Sequence, residues 1–81
     1  MEPAHVTFRS LDGVTDAALT SPEFAARLLG SGRPQISVAF EGDAIRFTAD
    51  TAELMLRARV TALFEDALGM DWHRHVQRAD R

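Results

Sequence analysis

Cysteine is absent from this sequence, which excludes disulfides and thiolate metal sites, and with them the staples of most tiny secreted domains. Lysine is absent too: every basic side chain is arginine, which alongside abundant alanine reflects a GC-rich coding bias and carries no function. No apolar run approaches the ~20 residues that a membrane-spanning helix needs. The first ten residues, MEPAHVTFRS, have neither a basic start nor an apolar stretch, so the expectation is a cytoplasmic protein that makes no membrane contact. Positive charge is also in short supply. The formal net charge is -3, against the strongly basic face of a dedicated nucleic-acid binder. Membership in an assembly that binds RNA through other subunits is compatible with that charge; direct sequence-specific nucleic-acid binding is not expected.

What remains is one small domain of 81 residues, near the size at which a single core struggles to offset chain entropy. Oligomerisation is a common remedy. The longest periodic stretch is Asp50 to Gly69, DTAELMLRARVTALFEDALG, which predicts a helix. Asp50 is placed as its N-cap, Glu53 completes a capping-box-like pattern near the positive end of the helix dipole, and Gly69 supplies the stop. Ala52, Leu56, Val60, Leu63 and Ala67 recur at steps of three and four, with Phe64 and Leu68 alongside, and this stripe must face a core. Leu54, Met55, Ala58 and Ala62 fall off the stripe and widen the apolar surface beyond what one small sheet covers. Burying a large apolar side chain is worth roughly 1.5–3 kcal/mol, so a second partner surface is expected there, with Arg57 and Arg59 beside it.

Earlier in the chain, Val6 and Phe8 alternate with His5, Thr7 and Arg9 as a half-buried strand would. Residues 10–20 open on Asp12-Gly13 and stay ambiguous between a helical turn and irregular chain. Thr20-Ser21-Pro22-Glu23 signals a second helix start, with Thr20 as cap and Phe24 and Leu28 on the buried side, joined in a looser fit by Ala25 and Leu29. Gly30-Ser31-Gly32 ends it, and Arg33-Pro34 leads back to extended chain. Ile36, Val38 and Phe40, then Ile45 and Phe47 after Glu41-Gly42-Asp43, alternate as a hairpin. The predicted architecture is α+β: a three-stranded sheet with two helices on one face in the order β-α-β-β-α, spanning residues 1–69, followed by a polar tail over 70–81 with room for a helical turn through Trp72 and Val76.

Chemistry-bearing constellations are weak. His73 and His75 flank Arg74 in the tail; spaced by two they meet only on extended chain, with no third ligand at hand, so a solvated tail is the better reading. His5 belongs to the outward face of its strand. The carboxylates Glu65-Asp66 and Glu41 to Asp43 lack any sign of the burial or pocket that acid–base work requires. Gly30-Ser31-Gly32-Arg33 follows a helix, not a strand, and has no lysine to hold a phosphate. The element order is that of KH-type RNA-binding modules, yet the GXXG loop that makes their backbone contact is missing. No catalytic residue, metal ligand or cofactor is therefore assigned, and an enzyme is not expected.

The segment from Ile36-Ser37-Val38-Ala39-Phe40-Glu41-Gly42 through Leu56-Arg57-Ala58-Arg59-Val60-Thr61-Ala62 resembles the small subunit of the KEOPS transfer-RNA-modification complex, the CTAG/Pcc family. The shared features are a hairpin with a Glu-Gly turn, an acidic helix start and a Leu-Arg-small-x-aliphatic run. Ser21-Pro22-Glu23 followed by Ala26 is similar to the family's first helix. Thr61-Ala62 stands where the family commonly has Asn-Ser, and residues 10–20 lengthen the usual link. The resemblance implies a non-catalytic subunit that homodimerises and supports the catalytic subunit installing threonylcarbamoyl on transfer-RNA adenosine, with Leu56, Arg57, Val60 and Phe64 as interface and core positions. The alternative is a small regulatory or antitoxin-like module whose protein partner is encoded beside it. The adaptor reading predicts a dimer in solution and an interface containing Leu54, Met55, Ala58 or Ala62.

Overall fold

Among residues 3–30 and 35–79, which the computed structural model describes, the chain forms four strands, three α-helices and one 3-10 turn. Strand β1 (Ala4–Ser10) is followed by helices α1 (Gly13–Leu19) and α2 (Pro22–Leu29), the hairpin β2 (Ser37–Glu41) and β3 (Ala44–Ala49), helix α3 (Glu53–Leu68), the turn Trp72–Arg74, and strand β4 (Val76–Arg78). All pairings are antiparallel, in the order β2-β3-β1-β4. Register follows from the alternation. Val6 sits opposite Phe47 and Phe8 opposite Ile45, so the apolar members of both strands share one face. Against that face pack Leu56, Val60, Leu63 and Phe64 of α3, Phe24 and Leu28 of α2 and Leu19 of α1 in one cluster. The other face, with His5, Arg9, Ala39, Arg46 and Gln77, is open to water.

The α+β class stands, but the layout has one strand and one helix more than expected. Residues 70–79, expected in the tail, are part of the domain: Val76 is 2% exposed, and β4 pairs with β1 with Val76 opposite Ser10. Trp72 stacks on Phe64 at 5.5 Å between ring centroids, and Phe64 meets Phe8 and Phe47 edge-on at 4.9 and 5.5 Å. Three residues are too few for alternation to register in a sequence, so β4 read as solvated chain. The open question at residues 10–20 resolves to α1, because Asp12 accepts from Thr15 N as an N-cap rather than merely turning the chain.

Helix starts also move. Ser21, not Thr20, caps α2 through Phe24 N, while the Thr20 hydroxyl donates back to the Asp16 carbonyl at the end of α1. Helix α3 begins at Glu53 with Ala52 as N-cap and no side-chain bond, so the Asp50 cap does not form. The cause is the sheet: Ala49 is still paired with Ala4, and the chain spends Asp50 to Ala52 leaving it. Gly69 closes α3 with φ 93°, and Gly42 takes φ 65° in the hairpin loop, where an L side chain would be strained. Of the expected core, Phe40 is 40% exposed and Val38 and Ala67 only partly buried; Ala25, Leu29 and Ala52 are exposed. Phe40 and Val38 belong to an end strand, where the sheet stops before the helices can cover them. Ala49, in phase with Ile45 and Phe47, is buried as the alternation expects, and Thr15, Leu19 and Val76 are buried in addition. The expected helix stop begins at Gly30, the α2 C-cap; Ser31, Gly32, Arg33 and Pro34 lie outside the described residues.

Candidate functional site

The outer face of α3 is built by the helix period alone. Leu56, Val60, Leu63 and Phe64 face inward, and steps of four from Leu54 place Leu54, Ala58 and Ala62 on the opposite side with Met55 beside them. Leu54 is 72% and Met55 52% exposed, and Ala58 and Ala62 are exposed as well. The four residues singled out for a partner therefore share one surface, large at its N-terminal end and small further along.

Helix α2 borders this surface. Arg27 Nε reaches Asp66 Oδ2 at 3.1 Å, and Arg27 Nη1 donates to the Asp66 carbonyl at 3.3 Å, which ties the end of α2 to the C-terminal half of α3. Between them lies a shallow open groove of about 780 Å³ lined by Gly30, Ala58, Arg59, Ala62 and the Arg27–Asp66 pair. Arg57 is half-buried and lies along its own helix, donating from Nη2 to Glu53 Oε2 at 3.0 Å, an i, i+4 pair. Its Nε is shut off from water without an acceptor. Arg57 thus braces the first turns of α3, while Arg59 borders the groove. Of the positions carried by the family resemblance, Leu56, Val60 and Phe64 are fully buried, hence core.

Of the carboxylates considered for acid–base chemistry, Glu65 is exposed, and Asp66, Glu41 and Asp43 serve ion pairs at the surface. Asp66 holds Arg27, Glu41 lies 3.5 Å from Arg46, and Asp43 lies 3.5 Å from Arg9. His5 and His73 are exposed, and His73 meets the edge of Trp72. Among the described residues, no group of three or more His, Cys, Asp and Glu side chains is gathered as a metal would require, and no helix is long and apolar enough to cross a membrane.

One polar cluster escaped the sequence reading. His75, expected in a solvated tail, is half-buried, and its Nδ1 lies 2.7 Å from Asp12 Oδ2. The other Asp12 oxygen accepts from Thr15 N at 3.1 Å and Thr15 Oγ1 at 2.9 Å, and the fully buried Thr15 hydroxyl also lies 2.9 Å from the His75 carbonyl. The His75 bond is the main force holding the Asp12 carboxyl below its ordinary pKa; desolvation works against it and the Thr15 bonds with it. The cluster latches β4 to the start of α1. The Thr15 hydroxyl is turned to Asp12 and a carbonyl, so it is not a nucleophile set on the imidazole. Sixty residues separate Thr15 from His75, and no local pattern could have joined them. Compared with known proteins, the chain has no significant match to a family model, a curated protein or a solved structure.

Proposed function

We propose that this chain is a non-catalytic adaptor that pairs with a second copy of itself and holds a larger protein on the outer face of α3. The observation that carries the reading is a helix with two apolar sides: one wholly core, the other presenting Leu54 and Met55 at 72% and 52% exposure. Scattered apolar residues on a surface are ordinary, but here the two sit together and run into Ala58 and Ala62. Small residues of that kind let another backbone come close, and large ones beside them supply the apolar area that a partner would cover. The specific form of the reading follows the family resemblance: a subunit that supports threonylcarbamoyl modification of transfer RNA by a separate catalytic subunit.

Sedimentation of the purified chain over a range of concentrations tests the pairing; a monomer at every concentration overturns it. The double variant Leu54→Glu, Met55→Glu tests the docking face. Its unfolding free energy is expected to stay within about 0.5 kcal/mol of the parent, as for other exposed positions, while co-purification with the threonylcarbamoyl-transferring subunit of the same organism is lost. Unfolding of the variant would mean that both residues are ordinary core, and retained co-purification would mean that the face is not used.

A further inference from the structure

Strand β2 ends the sheet, and the phase of the ladder decides which of its backbone groups face outward. Ser10 N donates to Asp43 O at 2.7 Å, in the same register that pairs Phe8 with Ile45 and Val6 with Phe47. Asp43, Ile45 and Phe47 therefore turn their N–H and C=O groups toward β1. By alternation Ala44, Arg46 and Thr48 turn theirs toward β2, where they meet Glu41, Ala39 and Ser37. What is left over is the N–H and C=O of Val38 and Phe40, aimed away from the sheet.

Native sheets guard such an edge with proline, lysine, an inward charge, a bulge or a very short strand. Strand β2 has none of these: its register from Ser37 to Glu41 is unbroken, and its only charge stands at the turn. The other end strand, β4, is three residues long and carries Arg78 over the Phe8 ring. Phe40, at 40% exposure, and the half-buried Val38 lie on the helix-covered side of the open edge.

Resting on the self-pairing proposed above, we infer that two copies join antiparallel through β2 about a two-fold axis at Ala39. In that register Val38 of one copy faces Phe40 of the other, twice. Each such pair exchanges both N–H···O bonds, so all four outward donors and acceptors are satisfied, and each sets an aromatic ring against a β-branched side chain. Ala39 meets Ala39 of the second copy on the open face, where a close pair needs small side chains. Ser37 faces Glu41, and no like charges are brought opposite. The two Glu41 carboxylates stand at opposite ends of the new ladder, about 14 Å apart at strand rise, beyond the screening length at physiological salt; each keeps its own Arg46. The result is a continuous eight-stranded sheet that leaves the outer face of α3 free for the larger protein. A strand edge with two apolar side chains is a small interface, so the dimer dissociates on dilution.

The native lack of cysteine gives a clean test in the full chain. Ala39→Cys is expected to oxidise to a covalent dimer, because facing residues at a close antiparallel pair bring their Cβ atoms within disulfide reach. Glu41→Cys and Ala58→Cys are expected to form no covalent dimer under the same oxidation. Ala39→Glu, at an exposed position, keeps the circular dichroism of the parent, and its melting temperature at concentrations where both are monomeric, but raises the dimer dissociation constant about tenfold or more. The Leu54→Glu, Met55→Glu variant leaves that constant unchanged. Cross-linking at Ala58→Cys with none at Ala39→Cys overturns the β2 pairing and leaves the adaptor reading standing, whereas a wild-type monomer at every concentration overturns both.

Discussion

Asp12 serves two roles at once, as the α1 cap and as the acceptor from His75, and its protonation therefore weakens both. Because its pKa is lowered in the folded chain, chiefly by the His75 hydrogen bond, the stabilisation it gives is present above the unfolded carboxylate value near pH 4 and lost as pH falls through the folded value. Melting temperature followed from pH 7 to pH 3 should fall less steeply in Asp12→Asn than in the parent, since the amide keeps capping ability and has no charge to lose. Thr15 is the buried hinge of the same cluster. Thr15→Val keeps the shape and removes the hydroxyl, but Asp12 Oδ1 still receives Thr15 N and the His75 carbonyl still receives Leu11 N. Neither acceptor is orphaned, so the expected loss in urea denaturation is about 1 kcal/mol rather than the 2–3 kcal/mol of a stranded buried group.

At the scale of elements, β4 separates two accounts of the C-terminus. A solvated tail would tolerate Val76→Ala within about 0.5 kcal/mol, whereas a side chain 2% exposed in the core should cost about 1.5–2 kcal/mol for the two carbons removed. Equilibrium unfolding of that one variant decides between them. The signal for this strand in the sequence was a single apolar residue among polar ones, and it became a strand because β1 offered its outer edge at Ser10, Arg9 and Phe8. The opposite holds for α3, whose buried stripe is plain from spacing. Its first turn was misplaced because the cap depends on where the preceding strand releases the chain, a long-range matter.

In the whole molecule, three aromatic rings from different elements meet at Phe64: Phe8 from β1, Phe47 from β3 and Trp72 from the 3-10 turn all lie within 5.5 Å of its ring centre. A domain of this length has a total stability on the order of 4–12 kcal/mol, and Phe→Ala in a packed core costs about 3–5 kcal/mol. Phe64→Ala should therefore forfeit a quarter or more of the total, read as a loss of about 3–5 kcal/mol in urea unfolding followed by the near-ultraviolet signal of Trp72. The same small margin explains why the exposed Leu54 and Met55 and the open β2 edge matter. A larger protein bears a few uncovered apolar groups at little cost, whereas this one gains a useful fraction of its stability from whatever covers them.

The sequence by itself determined the periodic elements: β1, the hairpin and the two longer helices, most of their inward residues, and the two-sided character of α3. These follow from side-chain spacing and from Gly42 and Gly69 at positions that need positive φ. Only the tertiary structure decided what spacing cannot encode. It recruited β4 and Trp72 into the core, joined Asp12 to His75 across the chain, and made β2 an end strand, so that Phe40 alternates like a core residue and still meets water. Burial is a property of neighbours, and neighbours distant in sequence become visible only once the sheet has an order and an edge.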